Sequence, residues 1–164
     1  MLWLKSIVYS ALFEACFIFG LPLSVAASDR YALWRPSVTV AGVGWLLISF
    51  GFGAVVVCIA QFARQGHGTP APLDPPRRLV RTGPYGVVRN PIYVGALLIL
   101  LGELLLLGSR ALIAYMVLYA TIIHLVVVLY EEPTLERLFG SEYTAYRSQV
   151  GRWLPRLGRS GRGG

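Results

Sequence analysis

Asn90-Pro91-Ile92-Tyr93-Val94-Gly95-Ala96-Leu97-Leu98-Ile99-Leu100-Leu101-Gly102-Glu103-Leu104-Leu105-Leu106-Leu107-Gly108-Ser109-Arg110 is the stretch on which the fold turns. It opens on a helix-start pair, a polar residue followed by proline. It then runs apolar to Gly108 with Glu103 as its one charge. A second apolar run follows at once, from about Ala111 to Tyr130, and meets Glu131-Glu132-Pro133. Each run approaches the roughly 20 apolar residues that a membrane-crossing helix needs. The link Gly108-Ser109-Arg110 is so short that the two must form an antiparallel helical hairpin.

Upstream, two more runs read as spans. One extends from Ser6 to Ala27 and ends at Ser28-Asp29-Arg30; the other covers about Ser37 to Phe62, after Trp34-Arg35-Pro36. Val25-Ala26-Ala27 imitates a signal cleavage site, but the apolar stretch is long for a signal peptide and contains Glu14. Gly42, Gly44, Gly51 and Gly53 give the second span small-residue surfaces at helical spacings, where a neighbouring helix can come close. The expected architecture is therefore an all-α membrane protein of about four transmembrane helices.

Composition agrees. Of 164 residues, 55% are hydrophobic and 14% charged, against roughly 25% charged in soluble domains. The mean hydropathy is +0.61. A single domain of this size cannot hide such apolar runs in its own core. The net charge of +7 rests almost wholly on arginine, Lys5 being the one lysine. Because the arginines bracket apolar runs, they read as membrane topology signals rather than as a nucleic-acid surface. Arg64, Arg77, Arg78, Arg81 and Arg89 lie between spans two and three. Arg137, Arg147, Arg152, Arg156, Arg159 and Arg162 follow span four, and the opposite side carries Arg30, Arg35 and Arg110. Positive-inside bias puts the 63–90 loop, the C-terminal segment and both termini in the cytoplasm. Arginine-rich, lysine-poor usage points to a bacterial inner membrane.

The chain reads as one membrane domain: two N-terminal spans over 1–62, then loop, hairpin and C-terminal segment over 63–156, and a disordered basic tail over 157–164. In the C-terminal segment Leu135, Leu138, Phe139, Tyr143, Tyr146 and Val150 recur at helical spacing, interrupted by Gly140. This predicts an amphipathic helical segment at the cytoplasmic interface. Cys16 and Cys58 sit in separate apolar runs and read as small buried hydrophobes, offering no redox pair. With two histidines and no carboxylate-histidine spacing, no metal site is expected. Gly66-His67-Gly68 lacks the rest of a dinucleotide fingerprint.

Polar groups gather at one end of the hairpin. The start of span three, beside Arg89, points free backbone N–H groups and a positive dipole end at the interface, which suits a carboxylate or phosphate. Snorkelling arginines at an ordinary helix start are the bland alternative. Glu131 and Glu132 put two carboxylates at the exit of span four, where charge rules favour arginine, so they need a partner or a cationic ligand. His124 lies two helical turns before Glu131 on the same nominal face, as a ligand-facing group or a hydrogen-bonded structural histidine. Glu103 and Glu14 are intramembrane carboxylates, functional by default or interhelical hydrogen-bonding groups.

Two blocks of sequence resemble the integral-membrane methyltransferases that include isoprenylcysteine carboxyl methyltransferases and phospholipid N-methyltransferases. Gly83-Pro84-Tyr85 with Arg89-Asn90-Pro91-Ile92-Tyr93-Val94-Gly95 is similar to the family's Gly-x-Tyr and Arg-His-Pro-x-Tyr-x-Gly region. Glu131-Glu132-Pro133-Thr134-Leu135, Phe139-Gly140, Tyr143, Tyr146 and Val150 are similar to its Glu-Glu-x-x-Leu, Phe-Gly-x-x-Tyr-x-x-Tyr segment. The resemblance implies methylation of a lipophilic acceptor by S-adenosylmethionine held under the C-terminal segment, with the acceptor entering from the bilayer. It carries cofactor contact onto Arg77, Arg78, Leu79, Val80, Tyr85, Asn90, Pro91, Ile92, Tyr93 and Glu131, beside which Arg89 and Glu132 join the candidate set. His124 and Glu103 are candidates for orienting the acceptor. Two departures stand out: Asn90 replaces the family's histidine, and Val127 stands where the isoprenylcysteine enzymes carry a substrate-binding arginine. The competing readings are an NADPH-dependent, sterol-reductase-like enzyme and a non-enzymatic membrane scaffold. The expected partners are the bilayer and a lipid or lipophilic small-molecule acceptor, with no nucleic acid.

Overall fold

The computed structural model describes residues 15–29, 32–65 and 78–156. Glu14, Arg77, the Gly66-His67-Gly68 stretch and the 157–164 tail lie outside the described residues. A π turn, Cys16–Gly20, leads into helix α1 (Leu21–Ser28); α2 is Val38–Gln65 and α3 the short Pro84–Val87. Then come α4 (Pro91–Leu107), α5 (Arg110–Val126), a second π turn Val127–Glu131, α6 (Glu132–Phe139) and α7 (Ser141–Gln149). Two helical stretches, Val38–Gln61 and Arg110–Phe139, are long and apolar enough to cross a membrane; Cys16–Ser28 and Pro91–Leu107 are shorter apolar helices. Only 22% of the most apolar 18-residue window in either long stretch is buried within the protein. Their apolar faces therefore look outward, as lipid-facing helices do and the core helix of a soluble domain does not.

The main packing is α4 against α2. Its seam is built from glycines seven residues apart on each helix: Gly51 opposes Gly95, and Gly44 opposes Gly102. A Cβ on Gly51 would lie 2.5 Å from the Gly95 carbonyl oxygen, and one on Gly102 would lie 2.5 Å from that of Gly44. Without a methyl's width between them the backbones close to direct contact, which maximises dispersion where no hydrophobic force drives helices together. Gly42 and Gly53 have open space instead, so only two of the four small residues expected to serve packing on α2 do so.

The hairpin turns at Gly108, which caps α4 in the left-handed region at φ +61°. Between its arms, Ile18 of the first π turn packs with Ala96, Ile99 and Leu100 of α4 and with Tyr119 and Ile123 of α5.

Both π turns precede a proline. Leu21 N–H bonds back to Cys16 O ahead of Pro22, and Glu132 N–H bonds back to Val127 O ahead of Pro133. A proline in an α-helix loses a hydrogen bond and clashes with the carbonyl four residues before it; the wider turn relieves both. This corrects the expected end of the fourth helix at Tyr130, since the chain stays helical through Glu131 to Phe139.

The 132–156 segment also differs from the expected interfacial strip. It breaks at Gly140 (φ +50°), and Tyr143, Tyr146 and Val150 form a buried cluster with Leu79, Leu135 and Phe139, leaving Leu138 exposed. Most of the stripe packs on the protein itself. Burial of each large side chain there is worth roughly 1.5–3 kcal/mol.

Candidate functional site

The end of the molecule where α4 starts and α5 finishes is closed by a strap, residues 150–156. Val88 and Gly151 pair as a parallel bridge, with Arg89 N–H donating to Gly151 O over 2.8 Å. Asn90 occupies the N-cap position of α4, but its side chain does not cap the helix. Its Nδ2 donates to the Arg152 carbonyl oxygen at 3.2 Å, so the residue expected to cap α4 ties down the strap. The N–H groups of Ile92 and Tyr93 in the first turn have no acceptor within the helix.

Glu132 is the electrostatic centre of this end. Its carboxylate receives a fork from Arg152, Nε to Oε1 at 2.6 Å and Nη2 to Oε2 at 2.9 Å. Arg89 Nη2 lies 3.1 Å from Oε1, and the Arg89 and Glu132 side chains are only 8% and 9% exposed. Such charge-assisted pairs are short and directional. The hydrogen bonds to Glu132 hold Arg152 above its usual value and so fully charged. Arg89 Nη1 also donates to Tyr143 Oη at 3.5 Å. Burial, seconded by Glu132, pushes the Tyr143 phenol up to about 12, which keeps it neutral. One carboxylate against two arginines leaves the cluster one charge positive. Arg89 Nε is buried without a hydrogen-bond partner.

Glu131, next in the chain, faces another group. Tyr93 Oη donates to Glu131 Oε1 at 2.5 Å, linking the first turn of α4 to the second π turn. Trp153 of the strap stands by Tyr93, ring centroids 6.4 Å apart and tilted 57°. Its indole Nε1 donates to His124 Nδ1 at 3.2 Å. Tyr93, Glu131, Trp153 and His124 thus form a continuous row. His124 itself is exposed, and the π turn between it and Glu131 shifts the register that would otherwise stack them.

The remaining candidates are dispersed. Leu79 belongs to the Tyr143 cluster, while Val80 and Tyr85 pack with Cys58 and Ile92. Tyr85 also accepts, at its carbonyl oxygen, a 2.6 Å hydrogen bond from Tyr146 Oη, and burial raises both phenols. Arg78 is exposed and Pro91 buried. Glu103 is buried on α4 with Oε2 unpartnered. It lies ten residues beyond Tyr93, about 15 Å along the helix axis, so it belongs to a different region from the row. Sequence reasoning missed Arg152 and Trp153. Their signal was an arginine and a tryptophan on a short chain end just beyond the amphipathic stripe.

A family model described as phospholipid methyltransferase matches residues 39–142, well over half of the chain. The chain belongs to the phospholipid methyltransferase family. The described residues are helical, with two helices long and apolar enough to cross a membrane, and the match takes in the polar groups on both arms at the open end of the hairpin, Arg89 to Tyr93 and Glu131-Glu132. Arg152 and Trp153 of this methyltransferase lie beyond the matched residues. No curated protein and no solved structure matches the chain.

Proposed function

We propose that this methyltransferase transfers a methyl group from S-adenosylmethionine to a lipophilic acceptor at the membrane. The observation that carries the reading is the unpartnered Arg89 Nε at the start of α4, beside the Tyr93–Glu131 pair. That donor set fits the cofactor's polar groups. Arg89 Nε and the positive dipole end at the first turn of α4 suit a carboxylate. Glu131 suits an ammonium or ribose hydroxyls, and the Tyr93 ring a sulfonium.

When bound, S-adenosylmethionine supplies an electrophilic methyl group whose departure leaves a neutral thioether. The chain then has mainly to orient the reactants and exclude water. Glu132 serves this indirectly: by holding Arg89 and Arg152 it keeps the strap, and Trp153 with it, over the Tyr93–Glu131 pair. Val127, where a cation would bind a prenylcysteine carboxylate, is fully buried and apolar. This favours a phospholipid amine or another small lipophilic nucleophile as acceptor. In the proposed topology four helices cross a bacterial inner membrane with both termini and the strap on the cytoplasmic side.

Glu131→Ala tests the reading. Calorimetry on the purified protein in detergent should show saturable S-adenosylmethionine binding, weakened at least about tenfold by loss of a charged hydrogen-bonding partner. Unchanged affinity would remove Glu131 from the site; binding of NADPH instead of S-adenosylmethionine would overturn the reading. Incubation with methyl-labelled cofactor and a native lipid extract then identifies the acceptor.

A further inference from the structure

His124 is a polar residue on an apolar outer surface, with Ile122, Leu125 and Leu129 exposed nearby on the same helical stretch. Its one hydrogen bond among the described residues is the 3.2 Å contact from Trp153 Nε1 to Nδ1. An indole nitrogen has a proton to give and no lone pair to receive with. Nδ1 must therefore be the unprotonated nitrogen of a neutral ring, which leaves the imidazole proton on Nε2. The tautomer is held because Trp153 is held: Arg152, next to it, is forked onto Glu132, and Tyr93 stands against its ring. An N–H group in apolar surroundings is costly unless an acceptor meets it. On a face that looks into lipid, that acceptor must come on a lipid-like molecule.

We propose that His124 Nε2–H binds a head-group oxygen, of a phosphodiester or a carboxylate, on the lipophilic acceptor. The inference rests on the methyltransferase reading above and goes beyond it. His124 in this tautomer has no lone pair at Nε2 with which to take the acceptor's proton, so it positions the acceptor instead of deprotonating it. Trp153 becomes a positioning residue that acts through His124, and the oxygen so bound brings the head group to the row that ends at Tyr93 and Glu131.

The test uses the full chain in detergent with isotope-labelled histidine, of which there are only two, His67 and His124. The nitrogen spectrum should show His124 as the Nε2–H tautomer, and Trp153→Phe should mix the tautomers. Three dodecyl amphiphiles that each carry a quaternary ammonium then serve as probes: dodecylphosphocholine, dodecyldimethylglycine and dodecyltrimethylammonium. At least one of the two oxygen-bearing probes should shift Nε2 at about five- to tenfold lower concentration than the trimethylammonium. Which of them does so separates a phosphodiester from a carboxylate. His124→Phe should abolish the preference, read as thermal protection by the same probes, and His124→Gln, which keeps a donor, should restore part of it. A wild-type His124 in the Nδ1–H form, equal response to all three probes, or a preference that survives His124→Phe would overturn the proposal. S-adenosylmethionine affinity measured on the same samples keeps the two ideas apart. Intact cofactor binding with no dependence on His124 defeats this inference alone, whereas absent cofactor binding defeats the methyltransferase reading.

Discussion

The two ends of the helical hairpin are stitched together in different ways. At the turn end, Asp29, just after α1, accepts hydrogen bonds at Oδ2 from Ser109 Oγ (2.9 Å), Arg110 N–H (2.8 Å) and Ala111 N–H (3.2 Å). Ser109 Oγ in turn accepts from Leu112 N–H at 3.2 Å, so a carboxylate and a hydroxyl together cap the first turn of α5. Leu33 N–H donates to Gly108 O at 2.7 Å, and the Trp34 indole to Leu105 O at 3.2 Å. These bonds satisfy helix ends and leave a closed join. At the strap end, the Arg89–Glu132–Arg152 cluster carries excess positive charge and a buried nitrogen with no partner. A join built only for stability would not leave that group unsatisfied. In the proposed reading the first is a structural end and the second receives the ligand.

That contrast is open to test, and Glu132→Ala should have the largest effect. Two arginines would lose their common counter-ion, one of them almost fully buried, at a cost of about 3–5 kcal/mol. The thermal midpoint in detergent should fall steeply and cofactor binding should be lost with it. Gly51→Leu should come next, since its side chain has no room against the Gly95 carbonyl. Overpacking of this kind costs about 1–3 kcal/mol, and Gly42→Leu, which meets open space, should leave the midpoint nearly unchanged. Asp29→Ala should cost about 1 kcal/mol for the lost cap and leave cofactor affinity alone; lower affinity would mean that the two ends are coupled. The smallest effect is expected from Arg147→Ala. Its bridge to Glu136, 3.5 Å long and half exposed on both sides, is worth about 0–1 kcal/mol.

What was legible from the residues is what depends on local pattern. The hairpin follows from two apolar runs joined by Gly108-Ser109-Arg110, and α4 begins at Pro91 and α2 at Val38, as composition and proline placement predict. The polar end of the hairpin was visible because few charges compete in so apolar a chain. Pro133 stands in the sequence just after the expected end of span four; that a π turn accommodates it and the helix continues to Phe139 is visible only in the backbone.

The partners of each polar group were not legible, because partnership depends on which segments meet in space. Glu131 and Glu132 are adjacent and alike in sequence, yet one bonds Tyr93 of α4 and the other two arginines, Arg89 before α4 and Arg152 in the strap. Successive residues on a helix point about 100° apart, so neighbours in the chain face different surroundings. By itself the sequence determined an apolar helical hairpin with carboxylates, arginines and a proline-started helix at one end, because hydropathy and helix-start chemistry act within a few residues. Only the tertiary structure decided that Arg152 forks onto Glu132 and that Trp153 donates to His124. Each of these depends on the strap returning from α7 across the start of α4, and no local rule encodes that path.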